Sequence, residues 1–99
     1  MIISSEYLSE MIRAVRVSET DTSREEVAIL IESASADLNL RGVGVVDSDD
    51  PLTRQAIRLY CKGHYGYDKD NDRFQKAYEA LADSMSLSGD YDEGGDQDE

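Results

Sequence analysis

Residues 51–91 read PLTRQAIRLYCKGHYGYDKDNDRFQKAYEALADSMSLSGDY, and their periodicity decides the fold. Leu52, Ala56, Leu59, Tyr60 and Gly63 recur at helical spacing, and so do Phe74, Ala77, Tyr78, Leu81 and Met85. Gly66 breaks the first helix, and the run Asp68-Lys69-Asp70-Asn71-Asp72 supplies a start for the second, with Asn71 or Asp72 as its cap. Asp50-Pro51 is a strong opening for the first, with Asp50 as cap and Pro51 at the first helical position. The spacing predicts helices from Pro51 to about Tyr65 and from about Asp72 to about Leu87. Joined by a short turn, they form a helical hairpin.

Working outward, residues 41–50, RGVGVVDSDD, are irregular. Gly42 can end a preceding helix in the left-handed conformation. Val43, Val45 and Val46 alternate only weakly, and a lone strand has no partner, so a loop is expected. Upstream, a capping box is expected at Thr22 to Glu25, or in the frame Ser23 to Glu26. The helix it opens runs to about Leu40 and buries Val27, Leu30, Ile31, Ala34 and Leu38. Residues 16–21 form a linker. Before it, Ser4 or Ser5 caps a short amphipathic helix carrying Tyr7, Leu8, Met11, Ile12 and Val15. Such a short helix persists only when packed. The expected fold class is all-α: a small bundle of three main helices plus a short N-terminal helix, with an irregular loop at about 42–50. Residues 1–88 form the domain, and residues 89–99 are expected to be a disordered acidic tail.

The chain has 99 residues and a net charge of −12, from 22 acidic and 10 basic side chains. Asp90, Asp92, Glu93, Asp96, Asp98 and Glu99 stand after Gly89 with no base among them, so half of the imbalance lies in the last ten residues. Phosphate backbones are repelled by such a surface, which disfavours sequence-reading of duplex DNA. The start, MIISSEYLSE, lacks the basic and apolar segments of a signal peptide, and no run has the length of a membrane span. Manufacture in the cytoplasm is expected.

No constellation points to catalysis. Cys61 is the only cysteine and falls beside an apolar stripe, as a small buried hydrophobe does. His64 is the only histidine and has no cluster of metal-ligating partners. Asp68, Asp70, Asp72 and Glu79 copy the ligand spacing of a calcium loop, but Arg73 stands where that loop needs glycine. Helix capping is the better account. Gly42 and Gly44 lack the Lys-Ser/Thr of a phosphate loop. The expectation is no catalytic residue, no cofactor and no metal. Arg54, Arg58 and Lys62, at i, i+4 and i+8, form one basic stripe. Charge stripes of this kind are commonly solvated faces, and the sharper reading is an edge that docks an acidic neighbour.

The order of these elements resembles the head–tail connector (adaptor) family of tailed bacteriophages, a family of DNA-packaging proteins. The matching residues are Ala56, Ile57, Tyr60, His64, Gly66, Tyr67 and Asp68. They continue with Phe74, Tyr78, Leu81, Ser84, Ser86, Leu87, Ser88, Asp90 and Tyr91. Leu30, Ile31, Ala34 and Leu38 fit the family's preceding helix. The resemblance implies a non-enzymatic subunit of a ring below the portal, in the virion neck. The ring extends the DNA channel, lets DNA pass without sequence-specific binding, and docks the next neck or tail component. The implied partners are the portal protein, a neck or tail stopper protein and further copies of the chain, with no membrane. Arg54, Arg58 and Lys62, and the loop residues Val43, Val45 and Val46, are the expected contact elements. The alternative is an acidic regulatory protein that mimics DNA.

Overall fold

In the computed structural model, which describes residues 3–44, 46–66 and 69–91, the most extensive helix packing is made by one helix against the other three. That helix is α3 (Pro51–His64); it packs against α1 (Ser5–Ala14), α2 (Asp21–Leu40) and α4 (Asn71–Leu87). A short 3-10 turn, Gly89–Tyr91, completes the described chain, which contains no strand among the described residues. The fold is the expected all-α bundle.

The start of α3 follows from its first residues. Asp50 Oδ2 accepts hydrogen bonds from the Thr53 backbone N–H at 2.9 Å and the Thr53 hydroxyl at 3.1 Å. Pro51 sits where a backbone donor would be unused. The buried residues of α3 are Thr53, Ala56, Ile57, Cys61 and Gly63. The expected stripe is therefore displaced: Leu52 is 47% exposed, and Leu59 and Tyr60 are only partly buried. A helix enclosed by three neighbours buries a broad sector, and Thr53 belongs to it because its hydroxyl is satisfied locally by Asp50.

α4 returns antiparallel along α3. The two approach most closely at Gly63, where an added Cβ would stand 2.7 Å from Gln75 Cγ and 3.1 Å from the Gln75 backbone N. The Gly63 carbonyl accepts from Asn71 Nδ2 at 2.9 Å and Gln75 Nε2 at 2.6 Å, which satisfies a helix-end acceptor. That engagement corrects the expected cap. Asn71 reaches Gly63 and Asp72 pairs with Lys76 at 3.1 Å, so Asp70 takes the N-cap position of α4.

The capping box of α2 is likewise shifted from the expected frames. Thr20 is the N-cap, and the third helical residue is Ser23 rather than a glutamate. The Thr20 hydroxyl accepts from Ser23 N–H at 3.0 Å, and Ser23 Oγ accepts from Thr20 N–H at 2.8 Å. Ser23 also donates to the Ser18 carbonyl at 2.8 Å, which explains why so short a side chain is used there and is buried. α1 is capped by Ser4, whose Oγ accepts from Tyr7 N–H at 3.0 Å.

Between α2 and α3, Gly42 has φ +103° and turns the chain. Val43 then enters the core, donating its N–H to the Leu38 carbonyl at 2.9 Å. The 3-10 turn packs on this loop: Gly44 N–H donates to the Tyr91 carbonyl at 2.8 Å, and the Tyr91 hydroxyl donates to Asp50 Oδ2 at 2.8 Å. The fold thus continues beyond residue 88, to Tyr91. Residues 92–99 lie outside the described residues. The core is built from Met11, Ile12, Val27, Ile31, Leu38, Val43, Ile57 and Met85.

This topology gives the bundle two unlike ends. At one lie the end of α2, the loop, the start of α3 and the end of α4. At the other lie the end of α1, the start of α2, the end of α3 and the start of α4.

Candidate functional site

The basic stripe of α3 divides into two parts. Arg54 and Arg58 both pair with Glu10 of α1, the latter with Nη2 2.9 Å from Glu10 Oε2. The Arg54 guanidinium also lies 5.0 Å from the centre of the Tyr7 ring, and its Nη1 donates to the Ser48 carbonyl at 3.1 Å. These two arginines clamp the short α1 onto α3. Such half-buried pairs contribute modestly in energy, about 1 kcal/mol or less each, but they fix register. Lys62 points elsewhere. Its Nζ stands 4.6 Å from the centre of the Phe74 ring, at the far end of the hairpin.

Of the expected loop contacts, Val43 is fully buried, so it belongs to the core and presents no surface to a partner. Val46 is partly buried against the core, and Val45 lies outside the described residues.

Lys62 opens onto a depression of about 400 Å³ between the end of α1, the end of α3 and the start of α4. Arg16, Lys62, Tyr65, Asp70, Arg73 and Phe74 line it. The Arg73 guanidinium is 5.0 Å from the Phe74 ring centre, opposite in origin to Lys62, and pairs with Asp70 at 3.6 Å. A second depression of about 380 Å³ shares Arg16 and Lys62 and adds Arg13 and Arg58. Arg16 has φ +62°, a left-handed conformation in which glycine or asparagine is the usual occupant. Neither Arg16 nor Arg73 stands out in sequence, because neither shares the i, i+4 spacing of the α3 stripe. The signal that could have found Arg16 is its place just past the end of α1, where glycine is usual.

The opposite end is apolar and acidic. Leu40 and Leu87, 86% and 88% exposed, close α2 and α4 there. Beneath them Arg41 pairs with Asp37 at 2.7 Å and approaches Asp83 at 3.5 Å and Glu79 at 3.9 Å. Burial works against ionisation of Asp37, but hydrogen bonds from the Tyr78 hydroxyl at 2.6 Å and from Arg41 prevail and hold its carboxyl below the usual value. Asp50 is also lowered, first by the Thr53 N–H and then by the Tyr91 hydroxyl.

The groups that could serve chemistry are engaged structurally. Cys61 is buried, and that burial pushes its thiol up to about 12, so it is no nucleophile. His64 is exposed, stacks on Tyr60 with ring centres 4.1 Å apart, and has Nδ1 2.9 Å from the Tyr60 carbonyl. Of the calcium-loop pattern, Asp68 lies outside the described residues, Asp72 faces Lys76, and Glu79 faces Arg41 across to α2. Among the described residues no group of three His, Cys, Asp or Glu side chains could hold a metal ion. No described helix is long and apolar enough to cross a membrane.

What the arrangement can do is bind at its ends: a basic cleft with aromatic walls at one, exposed leucines among acids at the other. Comparison with curated proteins and with solved structures gives no match. Residues 8–92 match the model of a protein family described as phage connector protein.

Proposed function

The chain belongs to the phage connector protein family, and from that premise we propose that it is a ring-forming subunit seated below the portal of a tailed bacteriophage. The family's role is structural. The observation that carries the reading is that the match runs from within α1 through α2, α3 and α4, not over one motif. In this account the ring extends the DNA channel, its far side receives a neck or tail stopper protein, and its place is the neck of the virion. It performs no reaction.

Two features of the molecule favour a ring. Head-to-tail association closes into a ring when each copy carries two different complementary patches, and the two ends described above differ in charge and polarity. The net charge of −12 suits a channel wall, because phosphates are repelled and DNA slides without being held. Purified chain mixed with its portal should sediment with it, at a stoichiometry of several copies per portal. Sedimentation apart at low salt would count against the assignment.

A further inference from the structure

We propose that the basic cleft around Phe74 is the docking site for the acidic C-terminal segment, residues 92–99, of a second copy of this chain. The proposal rests on the ring reading, which sets copies side by side.

The cleft gathers cations in a chain that is poor in them. Arg16, Lys62 and Arg73 meet there against one acid, Asp70, and the adjoining depression extends the cationic surface with Arg13. Glu10, the acid of that second depression, is already held by Arg54 and Arg58. Phe74 sets Lys62 and Arg73 beside its ring without neutralising either. Arg16 adopts a left-handed backbone at the end of α1, where glycine is the unstrained choice. The arginine at that position supplies a charge to both depressions in spite of its left-handed backbone.

The complementary segment is DEGGDQDE, which has five acids and no base. It follows Tyr91, which is fastened to Asp50 and Gly44 at the start of α3. The cleft is at the other end of that helix. Fourteen residues of helix span about 21 Å, and an extended chain advances about 3.4 Å per residue. Reaching its own cleft would use roughly six of the eight residues and deliver only Asp98 and Glu99. A neighbouring copy can deliver all five acids. The cleft is short, so it suits a peptide better than a DNA duplex, whose phosphates continue on either side.

The test uses the full chain, half of it labelled with nitrogen-15, free at high concentration and assembled on the portal. A carbodiimide joins the Lys62 amine to any carboxylate in contact, and mass spectrometry reads the pair. The expected product links Lys62 to residues 92–99 between a labelled and an unlabelled copy. Arg16→Gln with Arg73→Gln, which keeps Lys62 as reporter and adds no carboxylate to compete for it, should lower its yield about tenfold. Links confined to single copies, or no Lys62–tail link in either sample, overturn the proposal. So does retention of the chain by duplex DNA that is lost in the same double variant, which would assign the cleft to nucleic acid. Portal-bound rings without the link would sink this inference alone, whereas failure to assemble on the portal would sink the ring reading.

Discussion

Tyr78 is where the core of this chain meets its polar surface. Its ring is buried, and its hydroxyl donates to Asp37 Oδ2 at 2.6 Å. Burial, with the adjacent carboxylate, pushes the phenol far above its ordinary value, so it remains a donor at any working pH. Asp37 is the reverse case, a carboxyl held below its ordinary value in the folded chain. A depressed carboxyl contributes stability that is full above the unfolded value of about 3.9 and is lost as pH falls through the folded one. Tyr78→Phe should therefore lower stability by about 1–2 kcal/mol at neutral pH, and the deficit should shrink at a strongly acidic pH, where the carboxyl is protonated in the folded chain as well. Urea unfolding at both values checks this, and a deficit independent of pH would contradict it. Arg16 offers a second test at this scale. Replacing it with glycine relieves the left-handed strain and should raise stability by up to about 1 kcal/mol, or a few degrees in the melting midpoint. The same change should weaken the association of copies. A variant both less stable and equally associated would remove Arg16 from the account.

Among the elements, the α3–α4 hairpin is the most demanding contact. Gly63 allows the helices to approach, and its carbonyl holds Asn71 and Gln75. Alanine is the better helix former by about 1 kcal/mol, yet its methyl would meet Gln75 Cγ and backbone N. Gly63→Ala should destabilise the fold by about 1–3 kcal/mol in chemical denaturation, because overpacking outweighs propensity. A gain in stability would show that the crossing is looser than described. Gly63 was legible in the sequence as a member of the apolar period, as were Asp50-Pro51, the Gly42 and Gly66 turns and the burial of Cys61. The phase of α3 was less so. Leu52 outranks Thr53 in hydrophobicity, but a threonine whose hydroxyl is held by its own cap can be buried. The caps of α2 and α4 were misplaced because serine can act in the third position of a capping box, and because the side chain of Asn71 is turned to another helix. The candidate site was half legible. Lys62 is in it, but the partners of Arg54 and Arg58 lie 44 and 48 residues away, and no local spacing reveals Glu10.

At the scale of the molecule, the short helix α1 changes what the basic stripe means. Without Glu10 the stripe would be a free cationic edge. With α1 in place, Arg54 and Arg58 fix α1 on α3, and the remaining cation of the stripe, Lys62, lies in the basic cleft at the end of the hairpin. Exposed Leu40 and Leu87 mark the opposite end, where Tyr91 is fastened to Asp50. A subunit with such unlike ends is suited to successive contacts of one kind around a closed circle. Electron microscopy of the portal mixed with the full chain tests this most directly. The account predicts a ring of density coaxial with the portal, built of repeated helical subunits and leaving the channel open. A portal with no added ring, or one whose channel the chain plugs, would contradict it.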